Sequence, residues 1–292
     1  MDSTPEGRTP ENRTPEDPTF SRRDDRPEES RREHLSRTFD EDAELYDRIR
    51  PGYPPRLYED LAELAGASPG SRVLEVGCGT GQATGPLAGR GYRVTAVEAG
   101  AHLAAVARRK LAGSPGVEVV TARFESWPLP AEPFDAVVSA TAFHWIDPSV
   151  RVTRAAEALR PGGALAVVRT QHVRGGTEGF FVEVQRCYER FDPSTRPGQR
   201  PPKAAEVDGS DHAREVARGG RFGPTALRRY ERDLTYTTAE YLDLLRTYSN
   251  HRALPEAARN GLLGCVADLI ERRYGGRVTK RYLNELSVSH RL

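Results

Sequence analysis

The chain has 292 residues and a formal net charge of +1, from 43 basic and 42 acidic side chains. That length suits one large domain, or one domain with an accessory region, and the balanced charge offers no global basic surface for a nucleic acid. No apolar run approaches the roughly 20 residues of a membrane span, and Cys78, Cys187 and Cys265 form no CxxC or Cys/His cluster, so neither a metal site nor a disulfide framework is expected.

The first 33 residues differ in kind from the rest. "TPEGRTPENRTPEDP", from Thr4 to Pro18, is a degenerate five-residue repeat, and a charged stretch with few hydrophobics follows. Such a segment buries too little surface to offset its ordering entropy, so residues 1–33 are expected to be a disordered tail. It has no apolar core of a secretory signal. With scattered cysteines, the expected location is the reducing cytoplasm.

Order is expected from about His34. A short helix is predicted near Ala43, then a break over Pro51 to Pro55, then a helix from Arg56 to Ala65. Leu57, Leu61 and Leu64 give that helix one apolar stripe. From Arg72 the pattern alternates. "RVLEV", "YRVTAVE", "VEVVTA", "FDAVVSATA" and "ALAVVRT" read as strands; "GQATGPLAGRG", "AHLAAVARRKLAG" and "SVRVTRAAEALRPGG" read as the helices between them. Near-continuous apolar strands suit a parallel sheet covered by helices on both faces. Beyond Thr170, "GFFVEVQRCYERF" reads as one helix. "DPSTRPGQRPPKAAEVDGSD" reads as a long proline-rich connection and "TALRRYERDLTYT" as a strand. "AEYLDLLRTYS" and "PEAARNGLLGCVADLIERRYGG" read as helices, and "TKRYLNELSVSHR" as a last strand. The fold class is therefore a doubly wound, Rossmann-like α/β domain.

The sharpest motif is "VLEVGCGTGQATG", Val73 to Gly85. Glycines at a strand-to-helix turn let a ligand approach the main chain, and the amides beyond offer donors. A dinucleotide fingerprint needs G-x-G-x-x-G, but its third glycine position is Gln82 here; the pattern is E-x-G-x-G-x-G instead. Glu98 ends the next strand, 21 residues beyond Gly77, in range of ribose hydroxyls.

With "VTAVEAG", "ARFESWPLP", "FDAVVSATAFHWIDP" and "ALRPGGALAVV", this motif resembles class I S-adenosylmethionine-dependent methyltransferases, near the small-molecule branch of trans-aconitate methyltransferase-like proteins, from about Phe39 onward. The resemblance implies a mostly parallel seven-stranded sheet with a helical lid insertion and an N-terminal cap. It divides residues 34–292 into a cap (34–70), a cofactor-binding core (71–170), a lid (171–222) and C-terminal strands and helices (223–292). It places Gly77, Gly79 and Gly81 along the methionine and ribose of S-adenosylmethionine, with Glu75 at the amino end, Glu98 on the ribose diol and Ala99 beside the adenine. Phe124 and Glu125 would flank the adenine ring, although Arg123 stands where many relatives have aspartate. Ala140 to Ala142, at the end of the fourth strand, would contact the methionine end through main chain, and Tyr46, Arg50 and Tyr53 would close the pocket from above.

His144 follows the fourth strand and is the candidate base, in a reaction that positioning alone can largely drive. A packing role for the His144–Trp145 pair is the alternative. Tyr53, Trp145, Tyr248 and His251 are the expected acceptor contacts. The expected function is methyl transfer to a small-molecule acceptor at O, N or C, with no nucleic acid, membrane or metal partner and homo-oligomerisation left open. The alternatives are a cofactor-binding enzyme of other chemistry, or a catalytically silent interaction protein.

Overall fold

The computed structural model describes residues 39–292, so the expected disordered tail and the start of order near His34 lie outside the described residues. A 3-10 turn, Phe39–Asp42, leads into α1 (Ala43–Ile49), whose start is capped by Asp42 accepting from the Leu45 N–H at 3.0 Å. Helix α2 (Pro55–Ala65) begins with proline at its first position, where no N–H is needed, and ends at Gly66 in the left-handed conformation. It buries Leu57, Tyr58 and Leu61.

The seven-stranded sheet has the order β3-β2-β1-β4-β5-β7-β6. β1 (Arg72–Val76) is followed by α3 (Thr84–Ala88), β2 (Arg93–Glu98) by α4 (Ala101–Leu111), and β3 (Val117–Thr121) by β4 (Phe134–Ala140). α5 (Arg151–Ala158) precedes β5 (Leu159–Val173). β1 to β5 pair in parallel and β7 runs antiparallel between β5 and β6. This is the doubly wound, mostly parallel sheet expected. Val73, Ala96, Ala136 and Ala166 pack toward α2 on one face; Leu74, Val137, Leu165 and Val167 pack toward α5 on the other. The alternation along each strand fills both cores at once.

Between β5 and β6 lie α6 (Glu178–Glu183), α7 (Gln185–Phe191) and α8 (Ser210–Arg218); β6 spans Ala226–Thr237. α9 (Thr238–Arg246), α10 (Ser249–Arg252) and α11 (Glu256–Arg273) lead to β7 (Arg277–His290). The single helix expected over "GFFVEVQRCYERF" is two, meeting at Val184. The expected helix after the glycine loop shrinks to α3, since Gly81, Gly85 and Gly89 weaken helix there. α8 takes up the last two residues of the stretch read as a connection, Ser210 and Asp211, and runs on to Arg218. Its buried stripe is only His212 and Val216, four residues apart, which is thin for a sequence pattern.

The expectation of no disulfide is overturned. Cys187 on α7 and Cys265 on α11 are bonded, with Cα atoms 5.8 Å apart, across 78 residues of sequence. Both belong to the core that joins α6, α7, α9 and α11, where Phe180, Tyr241, Leu262 and Ile270 are buried. Sequence spacing says nothing about that tertiary meeting, which is why the bond escapes a search for local Cys motifs. Cys78 is free and buried. No helix among the described residues is long and apolar enough to cross a membrane.

Candidate active site

The site is built where β1 and β2 end. Gly77, Gly79 and Gly81 have φ of +72°, +57° and +89°, in the region open mainly to glycine. At Gly77 space is also decisive, because an added Cβ would stand 2.4 Å from Ala142 Cβ. At Gly79 the neighbour is the Tyr46 ring, 3.6 Å from a built Cβ.

Glu98 ties this loop to the end of β2. Its Oε2 accepts from Gly79 N at 2.9 Å and its Oε1 from Gly100 N at 2.8 Å. Burial raises its pKa, while those backbone N–H groups oppose the rise. Each carboxylate oxygen keeps a further lone pair for a hydroxyl. Glu75 is 1% exposed, and its Oε2 has no hydrogen-bond partner. Burial, with the nearby charge of Glu98, pushes its carboxyl up to about 8 against an opposing influence of Thr84. Two buried acids thus converge on the glycine loop.

The segment before α2 covers this ground. Asp40 Oδ1 accepts from Leu103 N at 2.8 Å, capping α4 from outside. Tyr46 lies over Gly79, and the Arg50 guanidinium carbon is 5.0 Å from the Tyr46 ring centroid and 4.8 Å from that of Tyr248. Arg50 is also anchored to Thr247, with Nε donating to Oγ1 and Nη2 to the carbonyl, both at 2.9 Å. The expected cap residues and Tyr248 therefore meet.

Tyr53 reaches the end of β4, where its hydroxyl is 2.9 Å from Thr141 Oγ1. Thr141 is the one described non-glycine residue with positive φ, +58°. Such strain persists only where surroundings impose it, and it clusters at functional sites. Thr141 Oγ1 is 3.2 Å from Thr170 Oγ1, which accepts from Asn284 Nδ2 at 2.7 Å. Sequence reasoning assigned Thr141 a main-chain role only and did not single out Thr170 or Asn284. "SATA" carries no sign of its backbone conformation, and the other two meet only through the β5–β7 register.

The remaining expected residues are dispersed. Ala140 ends β4 beside Val168, and Ala99 is exposed just after Glu98. Phe124 is buried in the core under α5, whereas Glu125 Oε1 accepts from Asp147 N at 3.3 Å and lies 3.7 Å from Arg123. The His144 ring is accessible but hemmed in by protein, 4.8 Å from the Trp145 ring. Burial, with Arg151 and Arg169 nearby, pushes its pKa down to about 4. The imidazole is neutral at pH 7 and a weak proton acceptor. His251 is 1% exposed, with Nε2 3.1 Å from the Tyr188 hydroxyl and Nδ1 3.0 Å from Asn250 Oδ1. Both ring nitrogens are engaged inside the helical core, so it offers none to an acceptor. Among the described residues no group of His, Cys, Asp and Glu could hold a metal ion.

Residues 74–167, from β1 into β5, match a family model described as a methyltransferase domain. The chain is 37% identical over 137 residues to an uncharacterized methyltransferase of Mycobacterium bovis, covering 47% of this chain and 54% of the relative. Another, from Geobacillus kaustophilus, is 30% identical over 141 residues, covering 45% and 65%. The chain thus spans about half the length of the first of these relatives. Among solved structures, a candidate type II methyltransferase of Anaeromyxobacter dehalogenans has a TM-score of 0.54 at 24% identity, over 82% of this chain and 97% of that one. The [4+2]-cyclase SpnF has a TM-score of 0.50 at 17% identity, over 88% and 95%. Both likenesses concern the fold.

Proposed function

We propose that the protein is an S-adenosylmethionine-dependent methyltransferase acting on a small molecule. The observation that carries this reading is the Glu75–Gly81 loop. It has three left-handed glycines, a backbone approach blocked to any side chain at Gly77, and an orphaned buried oxygen on Glu75. The methyltransferase-domain match over the same residues supports it.

The residues fit the cofactor. Glu75 Oε2 is the kind of buried acceptor that an ammonium satisfies. Glu98, already oriented by two backbone donors, keeps lone pairs for a ribose diol. Gly77, Gly79, Gly81 and Ala140 offer main chain, and Tyr46 with Arg50 closes the cap. Ala99, Phe124 and Glu125 are assigned to the adenine end. When bound, the sulfonium supplies an activated methyl group.

The protein's part is to hold the acceptor in line and exclude water. Tyr53, Thr141 and Trp145 are assigned to that task together with Tyr248. His144 is assigned as a neutral wall or orienting contact, since a pKa near 4 makes it a poor base at neutral pH. The division into a cap (34–70), a core (71–170), a lid (171–222) and a C-terminal part (223–292) is proposed on the same basis.

Titration calorimetry with S-adenosylmethionine, S-adenosylhomocysteine and NAD tests the cofactor. The two methionine-derived ligands are expected to bind and NAD to fail; preference for NAD ends the reading. Mass spectrometry of a metabolite pool incubated with labelled-methyl cofactor tests the transfer. Because the fold is shared with a cyclase, a transformed substrate without label would favour other chemistry on this scaffold.

A further inference from the structure

Lys280 on β7 is one of three lysines among 43 basic residues, and it is only 6% exposed. Its Nζ donates to the Tyr248 hydroxyl at 2.9 Å and stands 5.1 Å from the ring centroids of both Tyr248 and Tyr282. Among the described residues no carboxylate pairs with it. An ammonium has three donors, and the one hydrogen bond to Tyr248 leaves two unspent. The guanidinium of Arg50, itself held by Thr247, lies against the same Tyr248 ring, whereas Lys280 has no acid beside it among the described residues. Buried charge without a counter-charge is costly unless something supplies one.

The surroundings continue the theme. His172 Nε2 and Asn284 Oδ1 are buried without partners. In the β5–β7 register His172 faces Tyr282 and Thr170 faces Asn284. Alternation places Lys280, Tyr282 and Asn284 on one face of the sheet. At its far end, this strip joins Thr170 and Thr141 through the hydrogen bonds already described, and Ala142, next to Thr141, stands against Gly77 of the glycine loop. Four strand residues at about 3.3 Å each put Lys280 roughly 13 Å beyond Asn284, the span of a small organic molecule.

We propose that Lys280, with the hydroxyls of Tyr248 and Tyr282, binds a carboxylate on the methyl acceptor, at the end remote from the transferred methyl. The proposal rests on the methyltransferase reading and names its substrate class. One compact ammonium and neutral phenols match a single negative charge. A phosphate dianion calls for guanidinium forks, and two donors of the Arg50 fork are already spent on Thr247.

The test uses the full chain saturated with S-adenosylhomocysteine. Benzoate, indole-3-acetate and octanoate are titrated calorimetrically, each beside its own amide. In wild type at least one acid is expected to bind about 10-fold or more tightly than its amide. Lys280→Met should bind acid and amide alike, Lys280→Arg should keep part of the preference, and S-adenosylhomocysteine affinity should be unchanged in both. No acid preferred over its amide in wild type, or a preference that survives in Lys280→Met, overturns the proposal. Without ligand, Lys280→Met should melt at or above the wild-type temperature; melting several degrees lower marks Lys280 as structural and also overturns it. Failure of wild type to bind S-adenosylhomocysteine would instead sink the cofactor reading, so the two failures are distinct.

Discussion

Replacing Glu75 with Gln keeps the shape of the side chain and removes its titration. Glu75 is 1% exposed, and burial followed by the charge of Glu98 raises its pKa from an ordinary 4.5 to about 8. Below pH 4.5 the carboxyl is protonated in both folded and unfolded chains, and its contribution is fully present. As pH rises the unfolded chain releases the proton while the folded chain retains it, so stability falls until the folded group ionises near pH 8. At roughly 1.4 kcal/mol per pH unit, the whole interval is worth about 5 kcal/mol, and the part between pH 5 and pH 8 about 3–4 kcal/mol. Urea unfolding across that range should show wild type losing about 3–4 kcal/mol more than Glu75→Gln. Cofactor binding adds a second reading. If an ammonium pairs with Glu75, the carboxyl ionises, and wild type should release up to about one proton per molecule at pH 7 while Glu75→Gln releases none. Calorimetry in buffers of different ionisation enthalpy measures this directly. Parallel stability curves would refute the assigned burial, and absence of proton release would refute the pairing.

Glu98→Ala should weaken cofactor binding by about 1–3 kcal/mol, since a ribose diol and two backbone N–H groups lose one charged acceptor; unchanged affinity by calorimetry would remove Glu98 from the site. Gly77→Ala should abolish cofactor binding through both the clash with Ala142 and the positive φ, and adding Ala142→Gly should restore only part of it, because the strained backbone remains; full rescue would show that crowding alone matters. Cys187→Ser with Cys265→Ser should lower stability by about 2–4 kcal/mol, as expected for freeing a 78-residue loop, and a reductant should do the same to wild type; identical oxidised and reduced melts would argue that the bond does not form. With a neutral, weakly basic His144, kcat should be flat from pH 6 to 8 and His144→Gln should keep most activity; a loss of about 100-fold together with a vanished pKa near neutrality would reinstate it as a base.

The glycine-loop half of the proposed site was legible because its constraints are local. Positive φ at a strand end demands glycine, so Gly77, Gly79 and Gly81 announce themselves in sequence, and Glu98 follows from strand spacing. The strands of the sheet were legible for the same reason, since a doubly covered sheet needs apolar runs. The half proposed for the acceptor depends on register and on long-range meetings. Thr141 looks ordinary in "SATA", and its strain exists only in three dimensions. Lys280 stands in a polar-looking strand, "VTKRYLNEL", and only its pairing with β6 and its burial show that it turns inward with Tyr282 and Asn284. Its rarity among so many arginines was the one available signal. His251 shows the converse, because an aromatic-flanked histidine on a short helix reads as a contact but lies sealed between Tyr188 and Asn250.

Alternation along β5 also bears on which chemistry the site favours. Leu165 and Val167 pack on the α5 face and Ala166 and Val168 on the α2 face, so Arg169 continues the first series and Thr170 the second. His144 feels Arg169, and its neighbour Phe143 is buried with the α5 core. Tyr53 and Thr141 meet Thr170 and Asn284, from which the strip toward Lys280 departs. The two candidate walls therefore approach the end of β5 from opposite faces. An acceptor held by its carboxylate at Lys280 enters along the Thr170 side, where the nearest polar groups are hydroxyls rather than the imidazole. Hydroxyls with no depressed pKa orient and hydrogen-bond but do not strip a proton at neutral pH; burial pushes the Tyr53 phenol further up, away from any role as a phenolate base. This arrangement suits an acceptor atom that is already nucleophilic. It leaves the protein to supply alignment, desolvation and charge recognition at the remote end, which are the contributions that an activated methyl donor requires.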